Sequence, residues 1–65
     1  MNRITEMKVT LFGIEYTLGY IEQTAAGYFA YDYNNEIITD KMLISNADAR
    51  RLVVGKFNED HGTRF

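Results

Sequence analysis

The chain has no cysteine, no proline and no tryptophan. Without cysteine no disulfide can staple it, and with His61 as the one histidine a structural zinc site lacks ligands. No apolar run approaches the roughly 18 residues of a membrane-spanning helix. The opening segment Met1-Asn2-Arg3-Ile4-Thr5-Glu6 lacks the apolar core of a signal peptide. A cysteine-free chain of this kind is expected in the cytosol. At 65 residues it is a single domain, 1–65, and one this small buries only about 60% of its unfolded surface. Hydrophobic side chains make up 46% of it, too many for a disordered chain, so stability rests on them or on self-association.

Basic residues are also missing from half the chain. Lys8 and Lys41 bound a stretch with no lysine or arginine. That stretch holds five carboxylates (Glu15, Glu22, Asp32, Glu36, Asp40) and all five tyrosines (Tyr16, Tyr20, Tyr28, Tyr31, Tyr33), for a formal charge of −5. Residues 41–65 carry +2 and residues 1–8 carry +1, which gives the net −2 of the whole chain. One half of a very small domain is therefore acidic and aromatic, and the other is mildly basic.

With proline absent, glycine and asparagine punctuate the chain. Residues 8–12 alternate and are rich in β-formers, and Gly13 then suits a tight turn. Ile14, Tyr16, Leu18 and Tyr20 fall on one face of a period-2 strand, which implies partial burial of both tyrosines. Gly19 inside that strand signals a bulge or a close backbone approach. A loop at 24–27 leads to a second strand at 28–33, with Phe29, Tyr31 and Tyr33 on one face and Tyr28, Ala30 and Asp32 on the other. Asn34-Asn35 suits a type I′ hairpin turn, so 36–39 is expected to return as a paired strand. Residues 40–44 read equally as strand or helical turn. Ser45 is a good N-cap with Asp48 in capping-box spacing. Ala49, Leu52, Val53 and Phe57 then form one apolar helical stripe, ending near Asn58. Residues 59–65 are expected to be a flexible tail. The predicted fold is α+β: an antiparallel meander of three to four strands with one C-terminal helix packed on one face.

Nothing in this pattern names a reaction. No pair of carboxylates has the spacing of an acid/base couple, and no serine or threonine sits in a nucleophile motif. Gly13, Gly19 and Gly27 are too far apart for a phosphate loop. Asp32, Asn34 and Glu36 alternate as in a calcium loop, but the rest of that motif is missing and a strand and turn explain them better. His61, beside Gly62, reads as a solvated histidine rather than a lone base. No catalytic residue, metal or cofactor is expected.

The acidic, tyrosine-rich block is the informative feature. Tyrosine offers a large, rigid contact area with a polar tip. Carboxylates spaced along one surface can imitate a phosphate backbone and steer a basic groove towards them. Candidate partner-binding residues are Glu15, Glu22, Asp32, Glu36 and Asp40, with Tyr28 and Tyr33 as anchors; Tyr28 shares its face with Asp32 and is the best candidate for an exposed aromatic. The competing reading puts the tyrosines in the core. Arg50, Arg51 and Lys56 beside the helical stripe are candidate phosphate contacts for a small nucleic-acid-binding regulator. Three bases on an acidic domain are a thin footprint, so direct nucleic-acid binding is not expected. A homo-oligomer with the tyrosine face as its interface is a further alternative.

A very small, cysteine-free acidic chain with a strand-rich, tyrosine-bearing stretch at 15–40 resembles the small anti-CRISPR proteins of phages and mobile elements. In character it is nearest to inhibitors of type I systems, type I-C among them. The resemblance covers size and general character, and those inhibitors share no common motif or fold, so no residue role is carried over. It implies a non-enzymatic inhibitor in the bacterial host's cytoplasm. Such a protein would bind the basic, nucleic-acid-binding surface of a CRISPR effector complex and block DNA access, as some of the family do by imitating DNA. The net charge of −2 is mild for such a mimic.

Overall fold

A computed structural model describes residues 2–65. Met1, the first residue of the segment read for a signal peptide, lies outside them. Among the described residues the elements are β1 (Arg3–Leu11), β2 (Ile14–Gln23), β3 (Tyr28–Asp32) and α1 (Asn46–His61). The strands form one antiparallel sheet in the order β1-β2-β3. Helix α1 packs on one face of it, against β2 and β3. This is the α+β meander that the sequence predicts. No helix among the described residues is long and apolar enough to cross a membrane.

Phe12 and Gly13 make the turn between β1 and β2, with φ of 52° and 76°. Two left-handed residues in succession match the right-handed strand twist, as in a type I′ turn. Glycine takes this conformation freely, whereas for Phe12 it costs about 1 kcal/mol. Further along the hairpin Met7 pairs with Gly19 but Lys8 pairs with Thr17, so Leu18 has no partner of its own. This β-bulge shifts the side-chain alternation by one. Leu18 and Gly19 are both buried, and beyond them Ile21 rather than Tyr20 faces the helix. The single face expected for Ile14, Tyr16, Leu18 and Tyr20 is therefore broken. Ile14 and Tyr16 lie towards the hairpin end, 55% and 40% exposed, and Tyr20 belongs to the opposite side of the sheet.

Gly19 serves the helix as well as the bulge. A Cβ placed on it would lie 2.7 Å from Val53 Cγ1, so its bare backbone is what admits α1. Val53 and Ala49 are fully buried there, and with Leu18, Ile21, Ala30 and Phe57 they form the core. The helix begins as the sequence predicts: Ser45 is the N-cap, and its side chain accepts from the Asp48 N–H at 3.1 Å. It ends three residues later than Asn58, at His61, with Gly62 in a left-handed cap at φ 67°.

The expected tail is tied down. Residues 59–61 are helical, and Asn58 Oδ1 accepts from Thr63 Oγ1 at 2.8 Å and from the Phe65 N–H at 3.0 Å. Phe65 lies against Phe57, with ring centroids 5.8 Å apart. His61 stacks on Phe57 with ring centroids 4.0 Å apart and stays exposed, a solvated histidine as expected but on the last turn of the helix rather than in a tail.

The return after β3 also differs from expectation. The Asn35 N–H donates to Asp32 O at 2.9 Å, and only Asn35 of the asparagine pair has positive φ, at 62°. The connection is thus a type I turn closed by a left-handed residue, not a type I′ turn. Residues 36–39 form no strand. They touch β3 through the Tyr31–Ile37 bridge, swing away, and touch it again where Tyr28 and Leu43 exchange hydrogen bonds of 2.8 and 2.7 Å. Residues 40–44 are accordingly neither strand nor helical turn but a run of bends with one bridging residue, Leu43. The ragged ladder protects this sheet edge from pairing with another chain.

Candidate protein-binding face

Because α1 covers the face of Gly19, Ile21, Ala30 and Asp32, the other face of the sheet is left open. Paired residues in an antiparallel sheet share a face. The register therefore puts Ile4, Glu6 and Lys8 of β1 beside Glu15, Thr17, Tyr20 and Glu22 of β2 and Phe29 and Tyr31 of β3. Ile37 joins them through its bridge to Tyr31. None of the apolar members of this set packs against the core, and Ile4 and Ile37 are 68% and 49% exposed.

Polar groups on this face hold one another in place. The Tyr31 hydroxyl donates to Glu22 Oε1 at 2.8 Å, and Asn2 Nδ2 donates to Glu22 Oε2 at 2.9 Å. Hydrogen bonding to that carboxylate, with some desolvation, pushes the Tyr31 phenol above its ordinary value. Lys8 bridges Glu15 at 3.3 Å and Glu6 at 3.7 Å, and Thr17 Oγ1 donates to Glu6. The Glu15 carboxylate, then that of Glu6, raises the Lys8 ammonium above its ordinary range. These ion pairs are exposed and contribute little to stability. Their effect is to fix two carboxylates around one ammonium; with Glu22 held by Tyr31 and Asn2, the face carries three acids to one base and so an excess of negative charge.

The residues singled out in the sequence do not gather in one place. Glu15 and Glu22 lie on the open face, as above. Glu36 and Asp40 are exposed on the ragged edge segment beyond β3. Asp32 is only 7% exposed on the helix side, and its Oδ1 accepts from the N–H groups of Asn34 and Glu36, both at 2.9 Å. It builds the turn and is not presented to a partner. Tyr28, expected as the exposed aromatic, packs against the core on the helix side. Tyr33 leaves the strand alternation at the turn and meets Phe57 edge-on at 5.8 Å and His61 at 4.8 Å. Its hydroxyl donates to Asp60 at 3.3 Å, and desolvation followed by the Asp60 charge raises its pKa.

The basic helix is neutralised from within. Arg51 pairs with Asp48 at 3.4 Å and Lys56 with Asp60 at 3.4 Å. Over Asn46–His61 the three bases Arg50, Arg51 and Lys56 face the three acids Asp48, Glu59 and Asp60, so the helix carries no net charge.

Sequence reasoning missed Ile4, Glu6, Tyr20, Phe29, Tyr31 and Ile37 as members of one surface. The alternation of Phe29 and Tyr31 was visible and Gly19 signalled a bulge or close approach, but the register shift that turns Tyr20 to their side was not. Comparison with protein-family models, curated proteins and solved structures finds no match for this chain. The functional reading therefore rests on the face itself.

Proposed function

We propose that this protein is a non-enzymatic inhibitor that binds a basic, nucleic-acid-binding surface of a partner protein through the open sheet face. The observation that carries the proposal is the co-location of Tyr20, Phe29 and Tyr31 with Glu6, Glu15 and Glu22 on a face that no part of the described chain covers. Aromatic side chains on a rigid sheet supply contact area at small entropic cost. The carboxylate excess selects a positively charged partner and speeds its approach. Occupying such a surface would exclude nucleic acid by bulk and by charge together.

The resemblance to small anti-CRISPR proteins gives the partner its specific form, a type I CRISPR effector complex in the cytoplasm of a bacterial host. The test is phage plating on bacteria whose type I-C system targets the incoming phage. Expression of the protein is expected to restore plaques, and the combined substitutions Glu6→Gln, Glu15→Gln and Glu22→Gln are expected to abolish the restoration. A folded triple variant that restores plaques as well as the parent would refute the assignment of this face.

A further inference from the structure

We propose that the chain pairs with a second copy of itself, the hairpin tip of each copy lodging in an aromatic groove of the other. Phe12 at that tip is 101% exposed, and its neighbours Leu11 and Ile14 are 37% and 55% exposed. It also sits on left-handed backbone, φ 52°, where asparagine or glycine would fit without strain. A large apolar side chain in water on unfavourable backbone gives the lone chain nothing.

The matching cavity lies on the helix side of the same hairpin. Tyr16 walls it from β2, and Tyr33, Phe57, His61 and Phe65 wall it at the end of α1, around a groove of about 510 Å³. That is ample for a phenyl ring with its flanking aliphatic groups. Leu11 belongs to both features, so tip and groove adjoin. A two-fold axis passing beside Leu11 and Tyr16 would exchange them. Both contacts then form at once and the assembly closes at two copies. Complete burial of the apolar side chains exposed at tip and groove would remove at most ~1,000 Å² across the pair, the size of a weak, reversible association. The open sheet face lies on the other side of the molecule, so pairing leaves it uncovered and presents it twice.

Sedimentation velocity of the full chain from low micromolar to millimolar concentration tests this. The parent is expected to pass from monomer to dimer and no further. Phe12→Asn should weaken association at least about tenfold. It should also raise the melting temperature of the monomer, because asparagine suits the turn; a merely structural role for Phe12 would move it the other way. Phe65→Asp should weaken association from the groove side. An equimolar mixture of the two variants restores one of the two contacts and should associate more tightly than either alone. A parent that stays monomeric throughout overturns the proposal. So does a dimer insensitive to both substitutions, the result expected if copies paired through the β1 edge instead.

Discussion

Tyr31 and Glu22 are joined diagonally across β2 and β3, hydroxyl to carboxylate, at 2.8 Å on the open face. The bond orients an aromatic ring and a charge that would otherwise sample many rotamers. Removing it with Tyr31→Phe leaves the core untouched. We expect a loss of about 0.5–1 kcal/mol, the net worth of one partly exposed hydrogen bond, read from urea unfolding. A loss above about 3 kcal/mol would mean that the hydroxyl and the Glu22 carboxylate are buried together rather than partly exposed on the open face.

Tyr31, Tyr33, Lys8 and Lys56 are all shifted upwards: Tyr31 and Lys56 chiefly by hydrogen bonds to Glu22 and Asp60, Lys8 by its bond to Glu15, and Tyr33 by desolvation. A raised folded-state pKa means that the folded form holds the proton more tightly. The stability it confers is complete below the unfolded value and is lost as pH rises through the folded one. Unfolded tyrosine and lysine titrate near 10.0 and 10.5. The melting temperature is therefore expected to fall from about pH 10 upwards, less steeply in Tyr31→Phe. A melting temperature unchanged to about pH 11.5 would contradict these contacts.

Asp32 is a turn residue by geometry, with its carboxylate accepting two backbone N–H groups. Asp32→Ala strips the one acceptor, Oδ1, of both bonds from a nearly buried site and should cost about 2–3 kcal/mol in denaturant unfolding. Asp32→Asn keeps Oδ1 and should cost less. Neutralising the acids chosen from sequence as one set would therefore confuse folding with binding, and the informative set is Glu6, Glu15 and Glu22.

Gly19→Ala would drive a methyl group into Val53 and the Tyr31 carbonyl. Overpacking at the sheet–helix contact is expected to destabilise by about 1–3 kcal/mol. Pairing it with Val53→Ala should recover part of that loss if the clash is the cause, and a double-mutant cycle measures the coupling.

The helix was legible because its signals are local: Ser45 caps it, and Ala49, Val53 and Phe57 repeat at helical spacing. The β1–β2 hairpin was legible for the same reason, through alternation and Gly13. The surface was not, because it depends on where one extra residue enters a ladder. Leu18 and Gly19 announce a bulge only through a glycine, and the resulting shift exchanges the faces of Tyr20 and Ile21. Asp32 and Tyr28 were misplaced because the helix chose their face, and strand periodicity alone does not say which face is covered. The end of α1 was marked locally by Gly62, its left-handed cap, but the segment beyond it escaped notice because Thr63 and Phe65 are held by the Asn58 side chain, a bond that no periodicity carries.

The open face is most directly tested by titrating the protein against a purified type I-C effector complex, with and without target DNA, at low and high salt. Saturable binding is expected that weakens with salt, falls at least about tenfold in the Glu6→Gln, Glu15→Gln, Glu22→Gln variant, and excludes DNA. No binding, or protein and DNA held on the complex together with the triple variant binding as well as the parent, would contradict the account.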